Sequence, residues 1–256
     1  MIEPHPLTPF LPHDARLLML GSFPPQQKRW SMTFYYPNWN NDMWRIVGLL
    51  FFNDRHYFEC PGQKRFDKER LVAFLNQTGI GLYDTASAVR RLRDNASDKY
   101  LEVVTPTHIP TLLAQMPHCH AIVTTGEKAT QTLCAPTATT PPPVGGSVTL
   151  TIDPKDYPLN SPIPTGAESH AFGASEFSIH KAACEASLLV SNPTSAECLE
   201  VCSAPISPYQ LLPRQVTLYR MPSSSRAYPL SLEKKAAAYR PMFEALFPEA
   251  FHPQQS

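Results

Sequence analysis

Leu17-Leu18-Met19-Leu20-Gly21-Ser22-Phe23-Pro24-Pro25 is the stretch from which the fold is read, and Phe34-Tyr35-Tyr36-Pro37-Asn38-Trp39-Asn40-Asn41-Asp42-Met43-Trp44-Arg45 follows it. A short, uninterrupted apolar run ending in Gly-Ser is how a strand buried on both faces delivers its carboxyl end to a ligand loop. The loop behind it is dense in aromatic faces, amides and one carboxylate, groups that can stack on a flat heterocycle and hydrogen-bond its edge. Near the other end of the chain, Tyr219-Arg220-Met221-Pro222-Ser223-Ser224-Ser225-Arg226 sets clustered hydroxyls and a guanidinium after a second apolar run. Together the two stretches suggest one site, built from both ends of the chain, that holds a base and a phosphate.

Working outward, four runs read as buried strands: residues 17–20, 80–83, 121–125 and 216–220. Helical patterns separate them. Residues 42–51 carry Met43, Ile46, Val47 and Leu50 at helical spacing, with Asn40 or Asn41 available as N-cap. Residues 67–76 carry Leu71, Phe74 and Leu75 before the stop signal Gly79. Residues 106–116 begin with a proline in the first turn, and residues 232–246 form a last helix that Pro241 should kink or split. Strands alternating with helices predict a three-layer α/β/α domain around a central four-stranded, mainly parallel sheet. In such sheets the ligand lies beyond the carboxyl ends of the strands, where all four runs here pass into polar loops.

Between Cys134 and about Arg214 the periodicity breaks. Thr137 to Val144 is almost entirely Thr and Pro, and further prolines punctuate the segment to Pro213. So long a stretch without pattern is read as an insertion, residues 135–214, within a single domain spanning 1–256. A small strand at 147–152 and a helix at 179–189 are the elements expected inside it.

The chain has 256 residues, with 43% hydrophobic and 10% aromatic content, which suits a globular core and excludes disorder as the general state. Formal net charge is zero, so contact with a polyanion has to come from a local basic patch. No apolar run approaches the roughly 20 residues of a membrane span, and residues 1–10 lack the basic start and apolar stretch of a signal peptide. The expectation is a soluble, cytoplasmic monomer. Its six cysteines contain no Cys-x-x-Cys pair and are read as reduced thiols, without a convincing fourth partner for Cys184, Cys198 and Cys202 around a cluster.

The stretches quoted first resemble the uracil-DNA glycosylase superfamily, and within it the hypoxanthine-DNA (deoxyinosine) glycosylases. In that branch a strand ends in Gly-Ser-Phe-Pro, a Phe-Tyr-Tyr loop follows, and an Asn precedes an aromatic-Trp-Arg helix. Here these are Gly21-Ser22-Phe23-Pro24, Phe34-Tyr35-Tyr36, Asn41 and Met43-Trp44-Arg45. The branch's late Leu-Pro-Ser-Thr-Ser element resembles Met221-Pro222-Ser223-Ser224-Ser225. Its Gly-Ile-x-Leu-x-Asp strand is similar to Gly79–Asp84, and Gly126-Glu127-Lys128-Ala129 falls where a Gly-x-Lys-Ala turn is expected. The likeness covers residues 17–133 and 216–247 and leaves the insertion unmatched.

The resemblance implies a hydrolytic DNA glycosylase that extrudes a deaminated base, hypoxanthine or uracil, and cuts its N-glycosidic bond without metal or other cofactor. Such a cut passes through an oxocarbenium-like state and needs a water placed at the anomeric carbon. Asn41 is the implied catalytic position, orienting that water, with Asp42 beside it as a proton acceptor; alternatively Asn41 is simply a helix cap. Gly21, Ser22 and Phe23 would shape the base pocket. One of Phe34, Tyr35 and Tyr36 would supply the stacking face, with Phe34 favoured. Asp84 would accept the ring N–H of the base, unless it is an ordinary N-cap after a strand. Ser223, Ser224 and Ser225 would bond phosphates flanking the flipped nucleotide, and Arg226 would fill the gap in the stack or bind phosphate. Met221 stands where many members carry His, a departure that fits the hypoxanthine branch.

Weaker signals remain. Asn192-Pro193-Thr194-Ser195 is similar to an Asn-Pro-Ser element of mismatch-type relatives, but the late Ser-rich run already fills that place. His118 and His120 could bind metal, although a partly buried pair without a third ligand is the plainer reading. Arg90, Arg91 and Arg93 offer phosphate contacts or a solvated helix face. Two rival functions stay open: a hydrolase of free nucleosides or nucleotides, and a non-catalytic binder of damaged or single-stranded nucleic acid.

Overall fold

A computed structural model describes residues 1–93, 98–157 and 211–251. Its main sheet is built from β2 (Leu17–Gly21), β3 (Ile80–Asp84), β6 (Ala121–Thr125), β7 (Ser147–Ile152) and β8 (Arg214–Met221), in the order β3-β2-β6-β8-β7. The first four in that order run parallel, and β7 closes the edge antiparallel to β8. Every residue of β2, β3 and β6 is buried. Side chains alternate across a strand, so unbroken burial means that both faces of the sheet are covered. The architecture is α/β with a mainly parallel central sheet, as the alternation predicts, but with five strands in place of four.

The fifth strand corrects the reading of residues 135–214. Ser147–Ile152 pairs along its whole length with β8, and Leu150, Ile152 and Tyr157 are buried in the main core. This part of the supposed insertion is therefore the sheet's edge. The helix expected at 179–189, the Asn192–Ser195 element and Cys184, Cys198 and Cys202 lie outside the described residues.

The helices form where their caps dictate. Helix α1 (Met43–Phe52) ends on Asn53 in the left-handed conformation. Helix α2 (Lys68–Thr78) starts on Asp67, whose side chain accepts from the Arg70 N–H, and stops at Gly79 with φ 72°. Helix α3 (Ile109–Ala114) is shorter than expected, because Pro106 ends a strand and Pro110 occupies the first turn. Helix α4 (Glu127–Cys134) follows β6 directly. Helix α5 (Leu232–Leu246) is a single helix that contains Pro241 and packs on α1, so the expected split does not occur. A last turn, α6 (Pro248–Phe251), packs on α5.

A second, three-stranded antiparallel sheet was not foreseen. It joins β1 (Ile2–Pro4), β4 (Ala86–Arg91) and β5 (Leu101–Pro106) in the order β1-β4-β5. Its own small core gathers Phe23, Ala86, Val89 and Leu101. Arg90 and Arg91 thus sit on a strand and not on a helix; Arg90 pairs with Glu102 across the ladder, and Arg91 with Glu3.

Candidate functional site

Parallel register brings the strand ends level. Gly21 lies opposite Asp84, Leu20 opposite Thr124, and Thr125 opposite Met221. Beyond those ends opens a cleft of about 140 Å³. Gly21, Ser22, Phe23 and Asp84 line one side of it, Tyr35, Tyr36 and Asn41 another, and Ser223, Ser224 and Ser225 a third. Residues separated by some two hundred positions in the chain meet here because β8 inserts beside β6.

Asp84 is held hard against the strand end. Its Oδ1 lies where a side chain on residue 21 would be: a Cβ there would come within 2.3 Å of it. Glycine at 21 is thus a packing requirement for this carboxylate. The backbone around it is tied by Thr107 Oγ1 donating to the Asp84 carbonyl at 2.7 Å and by the Thr85 N–H donating to the Gly21 carbonyl at 2.8 Å. Its Oδ2 meets His5 Nε2 at 2.8 Å. Asp84 does not act as a helix N-cap, because strand β4 follows it after one residue.

Asn41 is bound on several sides. Its N–H donates to the Asn38 carbonyl, its carbonyl accepts from Arg45, and its Oδ1 accepts from the Met43 N–H at 2.9 Å. The capping reading is therefore realised in geometry, one residue upstream of the formal N-cap, Asp42, whose own side chain makes no cap bond. A side chain fixed in this way still has its amide N–H₂ group and a second lone pair on Oδ1 for a water or ligand at the cleft. Arg45, almost wholly buried, also donates to the Trp39 carbonyl, pairs with Glu59 and lies over the Trp39 ring at 4.3 Å. It holds the 38–41 loop and cannot serve as a phosphate contact.

Asp42 departs from the expected role of proton acceptor. It is buried and does not line the cleft; its Oδ1 pairs with Arg226 Nε at 3.0 Å and its Oδ2 with Lys235 Nζ at 2.9 Å. Both oxygens of this one carboxylate are thus committed to cations within the protein. Lys235 also donates to the Ser225 carbonyl at 2.8 Å, and the Asp42 N–H donates to the Ser224 carbonyl. This network clasps the Asn41 loop to the Ser-rich loop. Arg226 is anchored by it while remaining exposed. Sequence reasoning missed Lys235, yet a signal existed: it falls on the stripe of Leu232, Ala236 and Tyr239, where a solvated lysine has no place.

Ser223 and Ser225 each accept one backbone N–H with their Oγ, from Ser225 and Ala227 respectively, which shapes the turn. Their O–H groups remain donors that a phosphate oxygen can use. Ser224 is buried. Met221 is buried too and stands off the cleft.

The aromatic expectation needs correction. Phe34 is a core residue, stacked near Trp44 and edge-on to Phe10, and it does not line the cleft. Tyr35, Tyr36 and Phe23 do. Tyr36 has φ 48°, an uncommon conformation for a bulky residue, and is pinned by its hydroxyl at 3.2 Å from Thr125 Oγ1 and by an edge contact with Trp44. Burial first, and then the charge of Asp84, raises the Tyr35 hydroxyl well above the usual tyrosine range and Tyr83 to about 12. Burial raises Tyr36 likewise, partly offset by its bond to Thr125. These phenols stay protonated around the carboxylate.

Ser22 Oγ donates to Asp98 at 2.8 Å, and Arg91 donates to the Pro24 carbonyl as well as pairing with Glu3. Arg91 is thereby committed to the protein's own structure. Arg29 is exposed on a short 3-10 turn beyond the Pro24-Pro25 rim.

His118 and His120 are exposed, not partly buried. Among the described residues no cluster of three or more His, Cys, Asp or Glu is placed to hold a metal ion. Cys60, Cys119 and Cys134 are free thiols. Among the described residues no helix is long and apolar enough to cross a membrane.

No protein-family profile matches the sequence, and no curated protein matches it. Among solved structures the chain is similar to a Methanosarcina acetivorans protein, solved by NMR in solution and provisionally assigned as a uracil DNA glycosylase. The match has 24% identity and a TM-score of 0.41, and covers 54% of this chain and 80% of that one.

Proposed function

We propose that this protein is a monofunctional DNA glycosylase that hydrolyses the N-glycosidic bond of a deaminated base, hypoxanthine or uracil, flipped into the cleft. The observation that carries this reading is the convergence of Asn41, Asp84 and Ser223–Ser225 on one cleft floored by Gly21. Each is the residue type that its step needs. Asp84 accepts the ring N–H of the extruded base, and Tyr35, Tyr36 or Phe23 covers its face. Asn41, oriented by its bond to Met43, directs the attacking water with its remaining amide groups. The hydroxyls of Ser223 and Ser225 bond phosphates beside the flipped nucleotide. In this scheme the water's oxygen bonds the anomeric carbon as the C–N bond breaks, and its proton ends on the departing base; Asp42 is the anchor that joins the Asn41 loop to the Ser-rich loop.

The resemblance read from the sequence supports the same assignment, residue by residue, at Gly21, Asn41, Asp84 and Ser223–Ser225. The test is the incubation of duplexes bearing a single inosine, a single uracil or no lesion, followed by detection of abasic sites, with free inosine as a parallel substrate. Release of base from lesion DNA alone supports the proposal. Cleavage of free inosine alone makes the protein a nucleoside hydrolase, and tight binding without cleavage makes it a damage-recognition module.

A further inference from the structure

We propose that His5 is a positioning residue that makes Asp84 an acceptor only, so that the cleft selects a flat heterocycle presenting a ring N–H over one presenting a bare ring nitrogen. The inference rests on the reading of the cleft as a base pocket and adds a specificity determinant from outside the resembling segments.

His5 reaches the site because β1 pairs antiparallel with β4 and the His5 N–H donates to the Ser87 carbonyl at 2.8 Å. Its side chain is only 3% exposed. It packs edge-on to Phe23 at 5.1 Å and lies 4.6 Å from the Tyr83 ring, two aromatic contacts that leave it one orientation. Both ring nitrogens are engaged: Nδ1 with the backbone of Leu7, and Nε2 with Asp84 Oδ2 at 2.8 Å.

A lone carboxyl group in a pocket can meet its ligand in two ways. Ionised, it accepts a hydrogen bond; protonated, it can rotate and donate one. The contact with His5 removes that freedom. The proton between Nε2 and Oδ2 belongs either to the imidazole or to Oδ2. In the first case Asp84 is a carboxylate, and in the second Oδ1 is the carbonyl oxygen of an acid. Oδ1 accepts in both. It is also the oxygen set against Gly21, and both residues line the cleft; the hydrogen bonds that tie Asp84 to other described residues run instead to its Oδ2 and its backbone carbonyl.

The chemistry of deamination matches such an acceptor. Adenine and cytosine present bare ring nitrogens beside their exocyclic amines, whereas hypoxanthine and uracil present a ring N–H beside a carbonyl. A bare nitrogen facing Oδ1 sets two lone pairs together and leaves a buried acceptor unsatisfied. A site built to bond a group rejects the analogue that cannot supply it far more strongly than an apolar pocket does.

The test uses the full chain and duplexes carrying 2′-fluorinated, non-hydrolysable deoxyinosine or deoxyadenosine at one position, with binding followed by fluorescence anisotropy. The wild type should favour the inosine duplex by about tenfold or more, the scale of leaving one buried acceptor unsatisfied. His5→Ala should reduce that ratio to within about threefold, and His5→Gln, whose amide can donate to Oδ2, should restore most of it. An unchanged ratio in a natively melting His5→Ala protein overturns the inference, as does a wild type that shows no preference. Should His5→Ala fail to fold, the His5 Nε2 resonance of the wild type decides. It should move in Asp84→Asn, and a stationary resonance overturns the inference. Preference in binding without excision of natural inosine sinks the glycosylase reading alone, while excision with an unchanged ratio in His5→Ala sinks this inference alone.

Discussion

The two sheets of this protein reach the same cleft by opposite means. The five-stranded sheet is buried on both faces and delivers Gly21, Asp84 and the Ser-rich loop at its carboxyl edge. The three-stranded sheet is half exposed, packs Ala86, Val89 and Leu101 against Phe23 from the loop after β2, and places Leu101 on the cleft wall with His5, just beyond β1, bonded to Asp84. In the proposed scheme one sheet sets where the reactive groups stand, and the other what may lie against them. The expectation from this division is that damage to the first abolishes the protein or its chemistry, whereas damage to the second alters selection and local stability.

The core offers the largest contrast. Leu20→Ala should cost about 3 kcal/mol of global stability, read from the shift of a urea midpoint at unchanged slope. Val89→Ala should cost about 2 kcal/mol, and much of it should appear as faster amide exchange confined to β4 and β5. If both variants unfold globally with equal loss, the small sheet is not a separate cooperative unit and the division fails.

Next comes Asn41→Ala, expected to lower excision by at least about a hundredfold while leaving binding of lesion DNA in place. Near-normal excision by a folded variant would leave Asn41 with its helix-capping bond to Met43 and nothing more. Gly21→Ala should lower kcat/KM on inosine DNA by about tenfold, because the new Cβ displaces Oδ1 of Asp84 while the bond of Oδ2 to His5 restrains the side chain from swinging away. An alanine variant of native rate and melting temperature would show that Asp84 can move without consequence.

The smallest effect is electrostatic. Arg45 and Arg91 are bound within the protein, whereas Arg226, next to the cleft-lining Ser225, and Arg29, on the turn after Pro25, are exposed. The slope of log affinity against log salt should be shallow, about −2, and Arg226→Ala should change it by less than about 0.9, since Asp42 already shares that charge. A slope several times steeper would require a basic surface elsewhere.

The same contrast explains how much could be read in advance. Strands β2, β3 and β6 stand out because a doubly covered strand reads as a nearly continuous apolar run, and β8 stands out through Val216, Leu218 and Met221, which are buried in the core. Asn41, Asp84 and the serines stand out because they end or follow those strands. Strand β5 carried a signal in Leu101-Glu102-Val103, whose alternation matches its buried and open faces, but it is short and its partner β4 is rich in arginine. Strand β7 was visible as a strand and misjudged as peripheral, since nothing in Ser147–Ile152 says which edge it pairs with. His5 carried no signal at all. A single histidine among prolines becomes informative only when the ladder between β1 and β4 brings it beneath Asp84. Phe34 was misplaced for a related reason: adjacent aromatics look alike, and only the tertiary structure decides which ring faces the cleft.

The seating of β8 between β6 and β7 also bears on how the molecule comes into being. Its pairing with β6, from Ala121 opposite Thr217 to Thr125 opposite Met221, joins distant parts of the chain, and parallel pairing of that kind pays its closure entropy before any contact rewards it. The serine loop hangs from the end of β8, and the clasp of Lys235 on Asp42 can close only after it. The topology thus predicts that helices α1 and α2 and the β2–β3 pair form before the cleft is complete. Recovery of activity in a refolding experiment should then lag behind recovery of helical signal.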